Sequence, residues 1–215
     1  MSGPCRVWKD YARSARLARV PFLEWRMKTS VLVVPGLRGS GPSHWQSLWV
    51  AKHPEYRRVL QRDWLAPRLD DWVAALDAAI EAATDEAQAR AIVVAHGFGC
   101  VATLARLARR RDGVAGALLV APRDPGEFGL ECEAVPVPAT LVASRNDPSL
   151  AFSDARRLAR RLGCRFVDAG AAGHIDAAAG YGAWPEGEQL LARLVARAQA
   201  WERTLENALA LAAAA

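Results

Sequence analysis

Cysteine is scarce and scattered in this chain of 215 residues. Cys5, Cys100, Cys132 and Cys164 form no C-x-x-C pair, which argues against structural zinc and a disulfide framework and suits a reducing, cytoplasmic setting. No apolar run approaches the roughly 18 residues that a membrane span requires. Neither G-x-x-x-x-G-K-[ST] nor G-x-G-x-x-G occurs, so a phosphate-cradling loop and a dinucleotide fingerprint are both disfavoured. No metal and no cofactor are therefore expected. Internal repeats, a linker and a second domain are missing as well. With 52% hydrophobic and 24% charged residues, the chain can bury a large single core.

The net charge of +5 is uneven. Residues 1–28 carry seven basic residues against Asp10 and Glu24, and in the remainder basic and acidic residues cancel. The basic balance thus belongs to an N-terminal extension, residues 1–27, and a domain over 28–215 is neutral overall. Charge gives that domain no nucleic-acid role. Within the extension, Trp8, Tyr11, Ala15 and Ala18 can share a helical face, opposite Arg6, Lys9, Arg13 and Arg16. The apolar core of a secretory signal is missing. The extension reads as a surface-binding amphipathic helix, a packed or frayed appendage, or sequence upstream of a natural start at Met27. The immediate resumption of a strand pattern after Met27 favours the last.

Beyond it, apolar runs alternate with helical patterns. Strands are predicted at Val31–Pro35, Arg58–Gln61, Ala91–Ala95, Ala117–Ala121, Ala139–Ser144 and Cys164–Asp168. Helices are predicted around Trp45–Lys52, Asp70–Ala83, Val101–Arg110, Ser153–Leu162 and Glu186–Ala210, with the Ala-rich end fraying. The runs VLVV, IVVA, LLVA and LVAS are apolar throughout, as in strands covered on both faces. The fold class is thus α/β, a doubly wound sheet of about six mostly parallel strands with helices on both faces.

Ligands of such sheets sit at the carboxyl ends of the strands. There, Ala95-His96-Gly97-Phe98-Gly99 joins a strand to a helix in the layout of a nucleophile elbow, G-x-S-x-G, with glycine where serine would stand. Asp147 follows a later strand in Ser144-Arg145-Asn146-Asp147-Pro148, and His174 follows the last in Gly173-His174-Ile175. Elbow, acid, base is the chain order of an α/β-hydrolase.

The stretches PGLRGSGPSHWQ, QRDW, SRNDP, AGHI and YGAWPEGEQLL resemble the small, lidless serine hydrolases of the retinoblastoma-binding-protein (YdeN-like) family, over about residues 30–195. The resemblance implies a three-layer α/β-hydrolase sandwich without a lid domain. It puts Gly97 at the nucleophile position, Asp147 as acid and His174 as base. It implies backbone N–H groups of Leu37 and Phe98 facing an oxyanion, with Ser40, His44 and Trp45 in the adjoining loop. The pocket-protein motif of that family's mammalian member, L-x-C-x-E, is incomplete here, since Leu130-Glu131-Cys132-Glu133 ends on Ala134, so that partner is not implied. The ligand class is a small ester or amide, and the oligomeric state is left between monomer and weak dimer.

Other side chains have plainer expected roles. His44 and Trp45 are expected to pack the first loop against its helix, and Asp147 also suits capping of the helix after Pro148. His96 is expected to point away from the pocket. Cys100, one turn beyond Gly97, reads as a packing residue, although helix N-termini lower thiol pKa values. His53 is assigned to the surface. Arg106, Arg109, Arg110 and Arg111 read as a solvated helix end.

Glycine tolerates the left-handed backbone that a serine in an elbow adopts under strain. The turn therefore survives without the hydroxyl, while Ser–His–Asp acyl-enzyme chemistry does not. Three readings remain: a family member that lost its nucleophile and still binds a ligand, an active ester hydrolase with its serine replaced, and a non-catalytic interaction module.

Overall fold

A computed structural model of the protein describes residues 28–110 and 112–213. The helical face read in residues 1–27 lies outside the described residues. Six strands form one sheet: β1 (Lys28–Val34), β2 (Arg57–Arg58), β3 (Ala89–His96), β4 (Val114–Val120), β5 (Ala139–Ala143) and β6 (Arg165–Asp168). Their order is β2-β1-β3-β4-β5-β6, and every neighbouring pair is parallel. Among the described residues five α-helices accompany them: α1 (Trp45–Lys52), α2 (Leu69–Ala87), α3 (Phe98–Arg109), α4 (Phe152–Leu162) and α5 (Pro185–Ala213).

Alternation within the apolar strands sorts the core into two halves. Leu32, Val34, Val93 and Ala95 face α2, α3 and α4, packing with Leu76, Ile80, Leu104 and Leu158. Val31, Val33, Ile92 and Val94 face α1 and α5, packing with Trp45, Trp49, Leu191 and Leu194. The result is the predicted doubly wound α/β sheet, and no lid domain is present among the described residues.

The boundaries shift where tertiary contacts decide them. β2 shrinks to two residues at the sheet edge. Val59 still donates to the Val33 carbonyl at 2.8 Å, and the chain then leaves the sheet with Leu60 exposed. α3 begins at Phe98, three residues earlier than predicted, because the turn at Gly97 (φ 54°, ψ −120°) feeds directly into helical geometry. The Ala-rich end stays helical through Ala213. Arg106 corrects the reading of a solvated helix end. It is buried, pairs with Asp77 at 2.5 Å, and donates to the carbonyls of Arg110 and Asp112. Arg109 and Arg110 are exposed and pair with Asp70 and Glu81, and Arg111 lies outside the described residues.

The first turn of α3 lies hard against the end of β1. A Cβ built on Gly99 would come within 2.5 Å of the Val34 carbonyl oxygen and 2.6 Å of that of Pro35. Both are backbone atoms and cannot swing aside. Gly99→Ala is therefore expected to destabilise the fold by about 1–3 kcal/mol, the range for overpacking a tight interior. A lowered urea midpoint at constant m-value checks this, and an unchanged midpoint would contradict the close approach.

Candidate active site

β1 and β3 lie side by side, but the chain leaves them in opposite directions, to β2 on one flank and β4 on the other. A crevice opens at such a switch point, outside the carboxyl ends of the strands. Gln46 ties the two ends together: its Nε2 donates to the carbonyls of Val34 and Val94, each at 3.1 Å, and its Oε1 accepts from the Ser40 hydroxyl at 2.6 Å. Gly97 sits at the mouth. A Cβ built there would lie 3.7 Å from Gly36 Cα and 3.3 Å from His174 Nε2.

His174 Nδ1 lies 2.9 and 3.1 Å from the two carboxylate oxygens of Asp147. A carboxylate accepts, so Nδ1 carries the proton and Nε2 presents its lone pair toward Gly97. Asp147 Oδ1 also accepts from Ser149 N–H at 2.8 Å, a local turn and not the expected helix cap, because α4 starts only at Phe152 with Ala151 at its N-cap and no side-chain cap bond. His174, Asp147 and Gly97 are thus brought together from the ends of β6, β5 and β3.

Backbone bonds hold the two loops in register. The Ser144 hydroxyl donates to Asn146 Oδ1 and accepts from Ala172 N–H at 2.9 Å, while Asn146 Oδ1 accepts from Gly173 N–H at 2.8 Å. Arg145 N–H donates to the Gly170 carbonyl at 2.7 Å, and its guanidinium pairs with Asp168. From below, His96 Nε2–H donates to the His174 carbonyl at 2.9 Å and Trp45 Nε1–H to that of Ile175 at 2.9 Å. Ile175 itself is held at φ 49°, a conformation that costs a β-branched residue on the order of 1–3 kcal/mol.

The other expected residues surround this centre. Phe98, the first residue of α3, has an N–H with no intrahelical acceptor, and it lies beside Gly36, whose built Cβ would be 3.5 Å from that nitrogen. Leu37 follows Gly36 in the same turn. The Ser40 hydroxyl is engaged with Gln46, while its carbonyl accepts from Ser47 and Arg58. Trp45 is buried against Trp49 and Trp184. His44 caps α1, its Nδ1 accepting from Gln46 N–H at 3.2 Å.

His96 departs from expectation. It does not turn away but packs edge-on between His44 and His174, with ring centroids 4.8 and 4.7 Å apart. Burial, reinforced by Arg58, lowers the His44 pKa to about 4. Burial, reinforced by His44, lowers that of His96 to about 3. Cys100 is buried and its thiol donates to the Val120 carbonyl at 3.4 Å. Desolvation pushes its pKa up, so it packs rather than reacts. His53 is half-buried, stacked on Tyr56 and paired with Glu188. Among the described residues no cluster of ligating side chains suits a metal ion, and no helix is long and apolar enough to cross a membrane.

A model of the family described as serine hydrolase matches residues 31–193. The chain belongs to the serine hydrolase family. Among solved structures, a protein from Pectobacterium atrosepticum described as a YdeN-like hydrolase is 35% identical, with a TM-score of 0.73 over 80% of this chain and 91% of its own. The ydeN gene product of Bacillus subtilis is 22% identical, with a TM-score of 0.64 over 79% of this chain and 100% of its own. A carboxylesterase from Bacillus cereus is 17% identical, with a TM-score of 0.51 over 68% and 81% of the two chains. The last two likenesses are of fold alone, and they extend the α/β-hydrolase assignment. No curated protein matches the sequence.

Gln46, His96, Ser144 and Asn146 escaped the sequence reading of the site. Gln46 and the Ser144–Asn146 pair stand within stretches that carry the family resemblance, which was their available signal. The buried histidines set a pH dependence. Above about pH 6.5 both are neutral whether the chain is folded or not. Below it, down to about 4 for His44 and about 3 for His96, the unfolded chain binds protons that the folded chain refuses. As the pH drops through that window, stability therefore declines by up to about 1.4 kcal/mol per pH unit per ring. His96→Gln is expected to flatten the decline of the urea-derived stability between pH 6.5 and 5 by about one proton's share, and an unaltered slope would contradict the burial of a neutral ring.

Proposed function

We propose that this family member has lost its nucleophile at Gly97, retains Asp147 and His174 as acid and base, and binds a small ester- or amide-like ligand without forming an acyl-enzyme. The observation that carries the reading is the 3.3 Å between His174 Nε2 and a Cβ built on Gly97, with Nδ1 of the same ring on Asp147. A serine hydroxyl at 97 would fall within reach of that lone pair, the arrangement nucleophilic catalysis requires. The N–H groups of Leu37 and Phe98 would receive the ligand's carbonyl oxygen. Ser40 and Trp45 would act by shaping that loop, since their polar side-chain atoms serve the protein itself, and His44 would do so by capping α1 through Nδ1.

The energetics separate binding from turnover. Loss of a triad nucleophile removes about 10⁶ in kcat in subtilisin, near 8 kcal/mol of barrier. Oxyanion donors and binding alone retain about 10³–10⁴ over water. The intact Asp147–His174 geometry favours a ligand site over a bare interaction module, for which that pair would have no use.

Gly97→Ser is the deciding experiment. The serine variant is expected to react with a fluorophosphonate probe at position 97 and to hydrolyse p-nitrophenyl acetate at least about 10²-fold faster than the chain with glycine. The native chain is expected to show no labelling there. A folded serine variant that neither labels nor hydrolyses would overturn this reading and favour the interaction module.

A further inference from the structure

We propose that the space Gly97 leaves beneath His174 is a seat for a small free nucleophile, so that the site passes the acyl group of an activated ester or thioester directly to water or a small amine. The inference rests on the ligand-site reading above and gives it a reaction. Three features of the geometry point to it.

The first is size and position. Replacing serine by glycine frees a hydroxymethyl group's worth of space, comparable to the ~30 Å³ share of a water molecule. A Cβ built on Gly97 would lie 3.3 Å from His174 Nε2 and 3.7 Å from Gly36 Cα, so the hydroxyl of a serine there would project toward that nitrogen, and the free nucleophile takes the place of this hydroxyl. A water or hydroxylamine seated there lies within hydrogen-bond reach of the lone pair.

The second is the readiness of the base. Asp147 fixes the tautomer of His174. His96 and Trp45 fix the loop through the carbonyls of residues 174 and 175. The ring is therefore aimed before any nucleophile arrives. It is also the most open of the three neighbouring histidines, half-buried where His96 and His44 are buried.

The third is that, among the described residues, two nucleophilic side chains near the site are already engaged. The thiol nearest in sequence, Cys100, is fully buried, with its sulfur bonded to Val120. The Ser40 hydroxyl is spent on Gln46.

In the step, the amine nitrogen attacks the carbonyl carbon and gives its proton to His174 Nε2. The carbonyl electron pair moves to the oxygen held by the N–H groups of Leu37 and Phe98. On collapse the bond from the acyl carbon to the leaving oxygen or sulfur breaks, and the imidazolium returns its proton to the departing group. Ester and hydroxylamine become hydroxamic acid and alcohol, with the protein unchanged and no external oxidant or reductant.

The test titrates hydroxylamine into the native full-length chain with p-nitrophenyl acetate, correcting for the protein-free reaction. Release of p-nitrophenolate is expected to rise and saturate with hydroxylamine, matched by acetohydroxamic acid. His174→Ala is expected to lower the saturable rate by about 10²-fold or more, the share of a positioned general base. Gly97→Ala, whose methyl group fills the seat, is expected to abolish saturation, and Asp147→Asn to lower the rate should the alanine variant not fold. A rate that is linear in hydroxylamine and equal in His174→Ala, or one undiminished by alanine at 97 in a folded protein, would overturn the proposal. If Gly97→Ser labels with fluorophosphonate while the native chain shows no saturable transfer, this inference fails and the ligand-site reading stands. If Gly97→Ser does not label, the reading beneath it fails.

Discussion

Everything at the site depends on the parting of β1 and β3. The two strands pair along their whole length, from Lys28 opposite Ala89 to Val34 opposite Ala95, and then their chains diverge to opposite flanks. Two parallel strand ends side by side leave carbonyls that no further strand can satisfy, and Gln46 satisfies one from each. Its full burial follows from that duty, since an amide is tolerated in an apolar interior only when its hydrogen bonds are made. Glycine at 99 is the second consequence of the divergence. α3 must start against the β1 end for Phe98 N–H to reach the crevice, and a side chain at 99 would strike the carbonyls of Val34 and Pro35.

Strain is distributed around this crevice in a telling way. Ile175 and Arg38, at φ 49° and 65°, keep conformations that disfavour their side chains, each within a residue of a proposed working group. Gly97 also takes a positive φ, 54° with ψ −120°, and as a glycine it carries no such strain. The turn's shape is therefore set by its surroundings and not by the residue in it. Gly97 N–H donates to the Val120 carbonyl at 3.1 Å, and its own carbonyl accepts from Cys100. A serine at 97 would inherit the same geometry, with some strain added.

How much of this could be read beforehand depends on whether a residue's role is local. The core strands announced themselves, because burial on both faces forces unbroken apolar runs such as Val31–Val34 and Ile92–Ala95. The positions of Gly97, Asp147 and His174 followed from loop order alone, since a parallel sheet gathers its post-strand loops at one end. Arg106 and His96 could not be read in this way. Arg106 looks like any helix-end arginine until Asp77, 29 residues away, is found beside it, and the fate of His96 was decided by a carbonyl 78 residues distant. The short β2 was misjudged for a related reason: an edge strand ends where its single neighbour stops supporting it, which the apolar run does not record.

The three histidines at the crevice show how burial assigns different work to one residue type. Desolvation keeps His44 and His96 neutral far below the ordinary histidine range, and a neutral ring has one donor and one acceptor nitrogen. In His96 the donor is committed to the His174 carbonyl, so it acts as a fixed strut. In His44 the acceptor takes Gln46 N–H, which puts the proton on Nε2, a buried atom with no hydrogen-bond partner among the described residues. His174 differs from both: its Nδ1 is held by the Asp147 carboxylate, and a carboxylate in that place orients the ring for proton transfer at Nε2. The burial that makes two histidines chemically silent thus leaves His174 as the partly exposed ring of the three, with Nε2 facing Gly97.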